Sequence, residues 1–555
     1  MKLLQKTIFT CLVFAGLISC ETTELDLLNS PNALSPEQAD IDLYLNGIER
    51  DFATFFEQVT EEGMEVTRIL HMFGPIYQNA YSPDNYNATY TNAYANILAD
   101  VRALEPVAEE AELYTHIGIS KIIEAYVIIT MVDYLGEIPY SEAIQGLEFQ
   151  NPTLDSGEAI YEAMEALLND AIVQLDRDEI SGADSDLFYG GDEDAWKAVA
   201  NTLKLKLYLQ SRLVDNDAGS KIEDLLDETL ILDPSLDLAF QYSTTDQNPD
   251  SRHPIFGRNF DVPADVTDYM SNDFMSRVKE DNDPRTRYYF YRQSLNFTQD
   301  PNEAECITQS APPHYPAGTP FCNIGDGYWG RDHGDDDGIP PDGGVRTTWG
   351  AYPIGGPFDG NQGTSIPGRT VGLQGAGISP ILLSSFTNFM LAESSLTLGT
   401  SGDPRDYLET GIRASMDKVL NFIAPDPNEI IVEDDPDTDE DETVLQGAFI
   451  PNNEDVDDYV DLILNRYDNA DNEGKLAIIV EEYFKALFGN GVEAYNTYRR
   501  TGYPEDLQPT LTEDPGEFIN SFFYPNELVL QNSNADQKPG QGIRVFWAVN
   551  GPTVD

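Results

Sequence analysis

Apolar residues recur along this chain with the spacing of amphipathic helices. The clearest case is residues 156–176, where one face collects Ile160, Met164, Leu167, Leu168, Ala171, Ile172 and Leu175. A recurrence every three to four residues places these side chains on one side of an α-helix. Asp155 followed by Glu158 has the spacing of a capping box, so we expect this helix to begin there.

Two further segments in the first half show related patterns. Residues 194–213 carry an apolar stripe formed by Trp196, Val199, Ala200, Leu203 and Leu207. Residues 113–134 are apolar nearly all round, which is typical of a helix buried between its neighbours. Successive helices of this kind predict a mostly α fold built from tetratricopeptide-like helix pairs, although the strict repeat consensus is absent.

The pattern changes between about residues 240 and 375, where Gly, Pro, Asp and Tyr replace the helical period. Long irregular segments in a folded protein commonly carry binding sites. Helical spacing returns at 378–422, where the apolar face is formed by Ile381, Leu382, Phe386, Phe389, Met390 and Leu396. The irregular segment therefore predicts a loop-rich, ligand-binding insertion in one folded unit that spans residues 36–555.

The last helical segments complete the predicted scaffold. Residues 475–488 have helical spacing, and Glu481 and Lys485 within them are placed for an i,i+4 ion pair. The acidic run 433–442 that precedes them predicts a solvated loop. The scaffold is thus expected at about residues 36–235, 378–422 and 470–500.

The N-terminus has the features of a secretory signal. Two lysines precede an apolar stretch from Ile8 to Ile18 that is too short to span a membrane. The stretch ends in Leu-Ile-Ser-Cys20, which resembles a bacterial lipobox, in which the cysteine is lipidated and becomes the first mature residue. An ordinary signal peptide with a chance cysteine is the alternative. We predict a signal peptide over 1–19, lipidation of Cys20 and a tether over 20–35.

Composition narrows the choice of partners. The 555 residues include 32 Lys plus Arg against 97 Asp plus Glu, a formal net charge of −65 at pH 7. Phosphate backbones and anionic lipid surfaces are bound by clustered Lys and Arg. The charge therefore argues against a nucleic-acid partner and leaves the lipid anchor as the expected route to a membrane.

Two cysteines remain in the predicted mature chain besides Cys20. Cys306 and Cys322 form an even pair in an exported protein, which favours a disulfide over two free thiols. Such a bond would close one turn of the irregular segment.

Six short motifs follow one another along the chain. They are Asp133 to Ala143 (DYLGEIPYSEA), Asp155 with Ile160-Tyr161, Tyr189 to Asp192 with Trp196 and Asn201 to Lys206, Ala392-Glu393 with Gly411-Ile412, Glu493 to Tyr495 with Tyr498 to Pro504, and Tyr524 to Glu527 with Asn532 and Phe546-Trp547. In this order they resemble the SusD/RagB family of Bacteroidetes surface lipoproteins. The segment from Gly330 to Pro353 looks like the SusD-like 2 branch. Packing in the core is an alternative explanation for many of the motif residues. We expect Arg499 and Arg500 to pair with carboxylates.

The resemblance implies a function without bond chemistry. SusD-like proteins sit at the cell surface over a SusC-like TonB-dependent outer-membrane transporter. They act as a hinged lid that captures an oligosaccharide, or a peptide in the RagB-like case, and closes it over the barrel. The implied protein is outer-membrane, lipid-anchored, not an enzyme and without a required cofactor. A secreted glycosidase is the remote alternative, because 97 acidic residues ensure chance carboxylate pairs.

Candidate ligand contacts come from two regions that resemble the ligand-contacting loops of glycan-binding members. Sugar binding needs flat aromatic faces beside groups that bond hydroxyls. The first region offers Tyr81, Asn85 and Tyr86, and the second offers Tyr328, Trp329, Arg331, Trp349 and Tyr352. Packing is the alternative role for each of these rings.

An aspartate-rich loop in the second region suggests a hard cation. Clustered carboxylates at a tight turn suit Ca²⁺, and the candidate ligands are Asp332, Asp335, Asp337 and Asp342. The loop does not fit an EF-hand, because His333 and Gly344 would fall at its first and twelfth positions. A structural calcium site and a solvated acidic turn both stay open. No P-loop, G-x-S-x-G or H-E-x-x-H motif is present in the sequence.

Overall fold

Helices account for most of the fold, as the apolar periodicity predicts. A computed structural model describes residues 41–179, 181–260, 268–336, 346–364, 368–433 and 442–549. The helices are α1 Ile41–Val66, α2 Tyr77–Ala80, α3 Asn87–Thr91, α4 Ala99–Glu110, α5 Tyr114–Leu135, α6 Gly157–Leu175, α7 Glu193–Ser211, α8 Ala218–Leu225, α9 Pro254–Phe260, α10 Asn272–Glu280, α11 Thr286–Tyr289, α12 Ser384–Leu398, α13 Pro404–Leu420, α14 Asn453–Asn469, α15 Asn472–Ala486, α16 Gly491–Thr501 and α17 Asn526–Gln531. A π-helical turn, Asn92–Leu98, joins α3 to α4.

Within the described ranges, three two-stranded antiparallel sheets accompany these helices. The strands are β1 Leu238–Gln241, β2 Phe290–Arg292, β3 Thr347–Trp349, β4 Ile378–Leu382, β5 Ile430–Glu433 and β6 Glu442–Leu445. β1 pairs with β4, β2 with β3 and β5 with β6. The β1–β4 pair places Phe240 opposite Ser379 and so ties the irregular segment to the scaffold.

Consecutive helices pack side by side in two series. Helices α4 to α8 contact one another in order, and α12 to α15 form the second series. The series are joined because α16 packs on α1 and α12 reaches α7. The contact of α16 with α1 depends on glycine, since a Cβ atom at Gly491 would lie 1.9 Å from the carbonyl oxygen of Thr60.

Helix α5 is buried along its whole length, which confirms the interpretation of its apolar sequence. Among the described residues it alone has the length and hydropathy of a membrane span, and it lies entirely inside the protein. Asp133 near its end accepts hydrogen bonds from Tyr161 OH at 2.5 Å, Trp547 Nε1 at 2.9 Å and Asn496 Nδ2 at 2.7 Å. The Asp133 motif therefore begins at a buried hub that ties α5 to α6, α16 and the C-terminal segment.

The start of α6 differs from its prediction. Its N-cap is Ser156, whose Oγ accepts a hydrogen bond from the Ala159 N–H at 3.2 Å. The predicted Asp155–Glu158 capping box is wrong, because Asp155 instead accepts the backbone N–H groups of Tyr140 at 2.9 Å and Ser141 at 2.8 Å. Asp155 thus holds the turn after α5 and not the helix that follows it.

Three other predicted features are also wrong in detail. Ile381 and Leu382 lie in the buried strand β4, and the helix begins only at Ser384. The i,i+4 pair of Lys485 is replaced by an ion pair with Glu482 at 3.0 Å, while Glu481 pairs with Arg277 at 3.3 Å. Short helices α9, α10 and α11 also occupy the segment expected to be irregular.

Covalent and ionic ties hold several of the predicted residues. Cys306 and Cys322 form a disulfide with their Cα atoms 5.5 Å apart, which confirms the expected pairing. Arg500 binds Glu393 at 2.7 Å, as expected, whereas Arg499 donates to the carbonyl oxygens of Asp133 and Asn520 at 2.7 Å each. The signal, Cys20 and the tether lie outside the described residues.

Candidate functional site

The loop that follows α1 is anchored by a buried arginine. Arg68 adopts a left-handed backbone with φ 66°. Its guanidinium donates to Val66 O at 2.6 Å, to Gln508 O at 3.0 Å and to Tyr77 OH at 2.7 Å. These bonds fix the loop against the segment around Gln508.

A second loop lies against the first. The Gly334 N–H donates to Met72 O at 3.1 Å, and the Leu511 N–H donates to His333 O at 2.9 Å. The loop after α1 and the loop that contains Arg331 therefore meet. The first predicted ligand region, with Tyr81, Asn85 and Tyr86, follows α2 and lies outside the loop that makes this contact.

Four side chains at this meeting point form what we call the arginine–aromatic stack: Phe73, Arg331, Tyr269 and Arg346. Arg331 Cζ lies 5.3 Å from the ring centre of Phe73 and 4.4 Å from that of Tyr269. Arg346 Cζ lies 4.0 Å from the Tyr269 ring centre. Both arginines are buried, whereas Phe73 is half-buried and so presents part of its ring to solvent. Cations over ring faces attract the ring electrons, which fixes the order of the stack.

His71 supports the base of this stack. Its backbone N–H donates to Tyr269 O at 3.0 Å, and its Nε2 lies 3.0 Å from the carbonyl oxygen of Asp335. Burial, followed by the nearby charge of Arg331, lowers the pKa of His71 to about 3. The imidazole is therefore neutral at physiological pH, and Nε2–H donates to the carbonyl.

The chemistry of the stack suits a sugar. The open part of the Phe73 ring is a flat apolar surface for the C–H face of a sugar ring. Asp335 Oδ1 lies 3.9 Å from Arg331 Nη1, and Asp336 is the next residue and is exposed. A carboxylate that accepts hydroxyl hydrogens therefore adjoins the stack. One aromatic face with a few polar groups is the usual composition of a carbohydrate-sized site.

Most of the predicted aromatic contacts lie in the core instead. Trp349 is 0% exposed and packs 4.8 Å from Phe488, and Tyr352 is 1% exposed and packs 5.2 Å from Phe422. Trp329 is also buried, with its ring edge-to-face with Phe297 at 5.4 Å. The prediction of ligand contact is wrong for these three rings, because burying a large aromatic surface stabilises the fold more than exposing it.

The first region also differs from its prediction. Tyr86 is 1% exposed and packs against Phe522 at 5.0 Å, and the buried Tyr81 donates its hydroxyl hydrogen to Glu65. Asn85 stays at the surface, where its Oδ1 accepts from the Ser82 N–H at 2.9 Å and shapes a turn. The prediction that the Tyr81 and Tyr86 rings contact ligand is therefore wrong.

The remaining predicted residues of the second region have separate positions. Arg331 belongs to the stack, where it is 6% exposed and supports the Phe73 ring from within the protein. Tyr328 lies beneath Arg292, with Cζ 4.6 Å from its ring centre, and lines a separate cavity of about 390 Å³. Phe73 and Tyr269 were not predicted, because an isolated aromatic in a loop carries no periodicity that separates a binding role from packing.

The acidic loop was expected to hold calcium. Asp332 accepts hydrogen bonds from Asn272 Nδ2 at 3.0 Å, the Cys322 N–H at 2.8 Å and Gln508 Nε2 at 2.8 Å. Burial raises the pKa of Asp332 in spite of these bonds. Asp337 and Asp342 lie outside the described residues, within which no group of three or more His, Cys, Asp or Glu side chains is placed to hold a metal ion. The calcium site stays a prediction.

The buried carboxyl of Glu65 predicts a pH dependence of stability. Burial, followed by the charge of Glu61, raises the pKa of Glu65 to about 8. A carboxyl whose folded pKa is raised stabilises the fold fully below its ordinary value near 4.5, and this contribution is lost as the pH rises through 8. We expect Glu65→Gln to lose less stability than the wild type between pH 5 and about 8.5, measured as denaturation midpoints. Parallel losses in both proteins would contradict this expectation.

Comparison with known families identifies an outer-membrane binding protein with a helical scaffold. Residues 43–305 match the SusD-like 2 family, described as "Starch-binding associating with outer membrane". Residues 379–541 match the family described as "Susd and RagB outer membrane lipoprotein". The chain belongs to the SusD/RagB family of outer-membrane lipoproteins, whose members are binding proteins and not enzymes. The segment from Gly330 to Pro353, which suggested the branch, lies between the two matches.

Solved structures share this fold over nearly the whole chain. A chitin-binding protein is 17% identical to this chain, with a TM-score of 0.65. The superposition covers 93% of this chain and 100% of that protein. A chitin-binding SusD homologue from Flavobacterium johnsoniae is 20% identical with a TM-score of 0.60, covering 92% and 99%. A SusD homologue from Bacteroides fragilis is 18% identical with a TM-score of 0.62, also covering 92% and 99%. No curated protein matches the chain. At these identities the likeness establishes the fold.

Proposed function

We propose that this protein captures an oligosaccharide at the cell surface and delivers it to a SusC-like TonB-dependent transporter. In this proposal the protein closes over the barrel as a hinged lid and makes or breaks no bond. The observation that carries the proposal is the half-exposed ring of Phe73 on a rigid support of buried arginines. Family membership supports nutrient uptake at the outer membrane, and the two chitin-binding neighbours support a glycan as the ligand.

The charge of the chain favours a neutral ligand over an acidic one. A net charge of −65 repels polyanions at long range, and the two arginines of the stack are occupied by aromatic rings. A neutral or amino-bearing sugar meets no such barrier. Chito-oligosaccharides and malto-oligosaccharides are therefore the first ligands to test.

Replacing Phe73 with alanine is expected to weaken glycan binding about tenfold, since a stacked ring contributes on the order of 1 kcal/mol beyond its buried area. Isothermal titration of wild-type and Phe73→Ala proteins against the panel measures the difference. Phe149→Ala is a matched control, because Phe149 is also half-buried but lies on the surface segment before Asn151. Equal affinities for wild type and Phe73→Ala would remove the stack from the site.

Peptide capture is the alternative within the same architecture, and one experiment separates the two. Mass spectrometry of material that co-purifies with the protein would detect a bound glycan or a bound peptide. The absence of binding heat in titrations with every glycan, together with a co-purified peptide, would contradict the oligosaccharide proposal.

The transporter and the lid are tested separately from the ligand. A SusC-like transporter from the same organism is expected to co-purify with the tagged lipoprotein from outer-membrane extracts. Absence of any TonB-dependent transporter from such extracts, with the lipoprotein itself recovered, would contradict the partnership.

A further inference from the structure

A second cavity runs along one face of α1, away from the arginine–aromatic stack. It has a volume of about 890 Å³ and we call it the α1 groove. One wall is the stripe of α1 from Leu43 through Gly47 to Glu61, and the other is formed by β1, its continuation to Tyr242 and the start of α9. None of the predicted ligand residues lies in it.

The α1 groove is elongated. From Leu43 to Glu61 its helical wall rises about 27 Å. A cleft of this length accommodates an extended, unbranched chain lying along the helix.

Aromatic rings form the floor of the groove. Phe240 and Tyr242 are two residues apart on an extended strand, so their rings share one side, with centres 5.1 Å apart. Both rings are half-buried and therefore keep an open part. Tyr242 is held in place by a 3.1 Å hydrogen bond between its hydroxyl and Ser379 Oγ. The two rings meet edge to face, with 72° between their planes, and each offers an apolar surface on which a sugar ring packs.

The charges in the groove balance, unlike those of the chain as a whole. Arg50, Arg252 and Arg258 face Glu57, Glu61 and Asp250. Arg252 pairs with Asp250 at 2.6 Å and Arg258 with Glu61 at 3.0 Å, so little net field remains. This balance suits a neutral occupant and not a polyanion or a polycation.

Uncharged polar side chains also line the groove. Thr54, Gln241 and Ser243 line the groove and are exposed. Hydroxyl and amide groups both donate and accept hydrogen bonds, so they are able to bond the hydroxyl groups of a sugar. These side chains give the groove the polar contacts that a sugar chain requires.

We propose that the α1 groove is a second binding site, for an unbranched neutral oligosaccharide. Its ligand class rests on the proposed glycan function, but its location does not depend on the stack. Arg258 also pairs with Asp268 at 3.0 Å, and Asp268 precedes Tyr269 of the stack, so one end of the groove adjoins the first site. A long glycan held at both sites gains affinity from its second contact.

Gly47 provides a test that leaves the fold intact. A Cβ atom at Gly47 would meet nothing within 4 Å, so Gly47→Trp fills the groove without a clash at Cβ. Gly47→Ala is the matched control, since alanine is small and favours a helix. Titrating the mature chain with chitohexaose or maltohexaose is expected to show two ligands per wild-type or Gly47→Ala protein. We expect one ligand for Gly47→Trp, and at least a tenfold loss at that site for Tyr242→Ala.

Each result separates the two proposals. Binding that is unchanged in stoichiometry and affinity in Gly47→Trp and Tyr242→Ala would overturn the groove site and leave the function standing. A single wild-type site that Gly47→Trp abolishes and Phe73→Ala leaves intact would support the groove and remove the stack. No binding of either hexasaccharide to the wild type would overturn both for these sugars. Thermal unfolding of each variant confirms that it is folded.

Discussion

Replacing Glu393 with alanine is expected to lower the free energy of unfolding by about 3–5 kcal/mol. Glu393 on α12 is 1% exposed, and its carboxylate binds Arg500 at 2.7 Å and Arg212 at 3.1 Å. Burial alone would raise the pKa of Glu393, but Arg500 and Arg212 outweigh it and hold the pKa below its ordinary value. Alanine would leave both guanidinium groups buried without a carboxylate.

The position of Glu393 makes this effect structural as well as electrostatic. Arg500 lies on α16 and Arg212 follows α7, so one carboxylate joins both helix series. Glu409→Ala is the matched control, because Glu409 pairs with Arg413 at 2.9 Å on the surface, where such pairs contribute less than about 1 kcal/mol. Guanidinium denaturation followed by circular dichroism compares the variants. Similar losses for both would contradict the assigned role.

The helices were predictable wherever one local signal decided the outcome. The segment that became α5 is apolar on every side, so burial was the only arrangement available to it. Ile381 shows the opposite case. A short apolar run fits a buried strand as well as a helix, and its assignment to β4 depends on β1, about 140 residues earlier in the chain. Pairing over such a separation leaves no trace in local spacing.

The candidate site was predictable only in part. Arg331 and its loop were predicted, but that loop meets the loop after α1 and not the first predicted region with Tyr81, Asn85 and Tyr86. Trp349 was predicted as a ligand contact, whereas Phe73 was not singled out. Both are aromatic residues in segments without helical spacing, and only the tertiary fold decides that Trp349 packs on Phe488 while Phe73 stays half-buried. As a tryptophan in such a segment, Trp349 has the residue type expected of a ligand contact. Its large ring also stabilises the fold more than the Phe73 ring when it packs in the core.

The motifs that indicated the family describe the scaffold and not the ligand. Asp133 is a hydrogen-bond hub for three side chains, and Glu393 with Arg500 is a buried ion pair. These residues hold the helices that both proposed sites share. Ligand identity therefore depends on residues outside the motifs, which is why the fold could be recognised while the sugar could not.

Replacing Cys20 with alanine is expected to release the protein from the outer membrane completely. With a net charge of −65, the protein gains nothing from anionic lipid, and the one described helix with the composition of a membrane span is buried inside the fold. Acyl chains supply about 0.8 kcal/mol per buried methylene, so attachment depends on them. Fractionation of cells into membrane and soluble material measures the change.

Cys11→Ala is the control for Cys20→Ala, since both variants remove a cysteine from the N-terminal segment but only one removes the predicted lipid acceptor. We expect Cys11→Ala to remain in the outer membrane with the wild type and to incorporate labelled palmitate as the wild type does. Membrane-bound Cys20→Ala would contradict the lipobox. A released but folded Cys20→Ala protein should still bind glycan in solution, because neither the arginine–aromatic stack nor the α1 groove includes the anchor. Loss of uptake by cells with that variant would then measure what surface attachment contributes beyond binding.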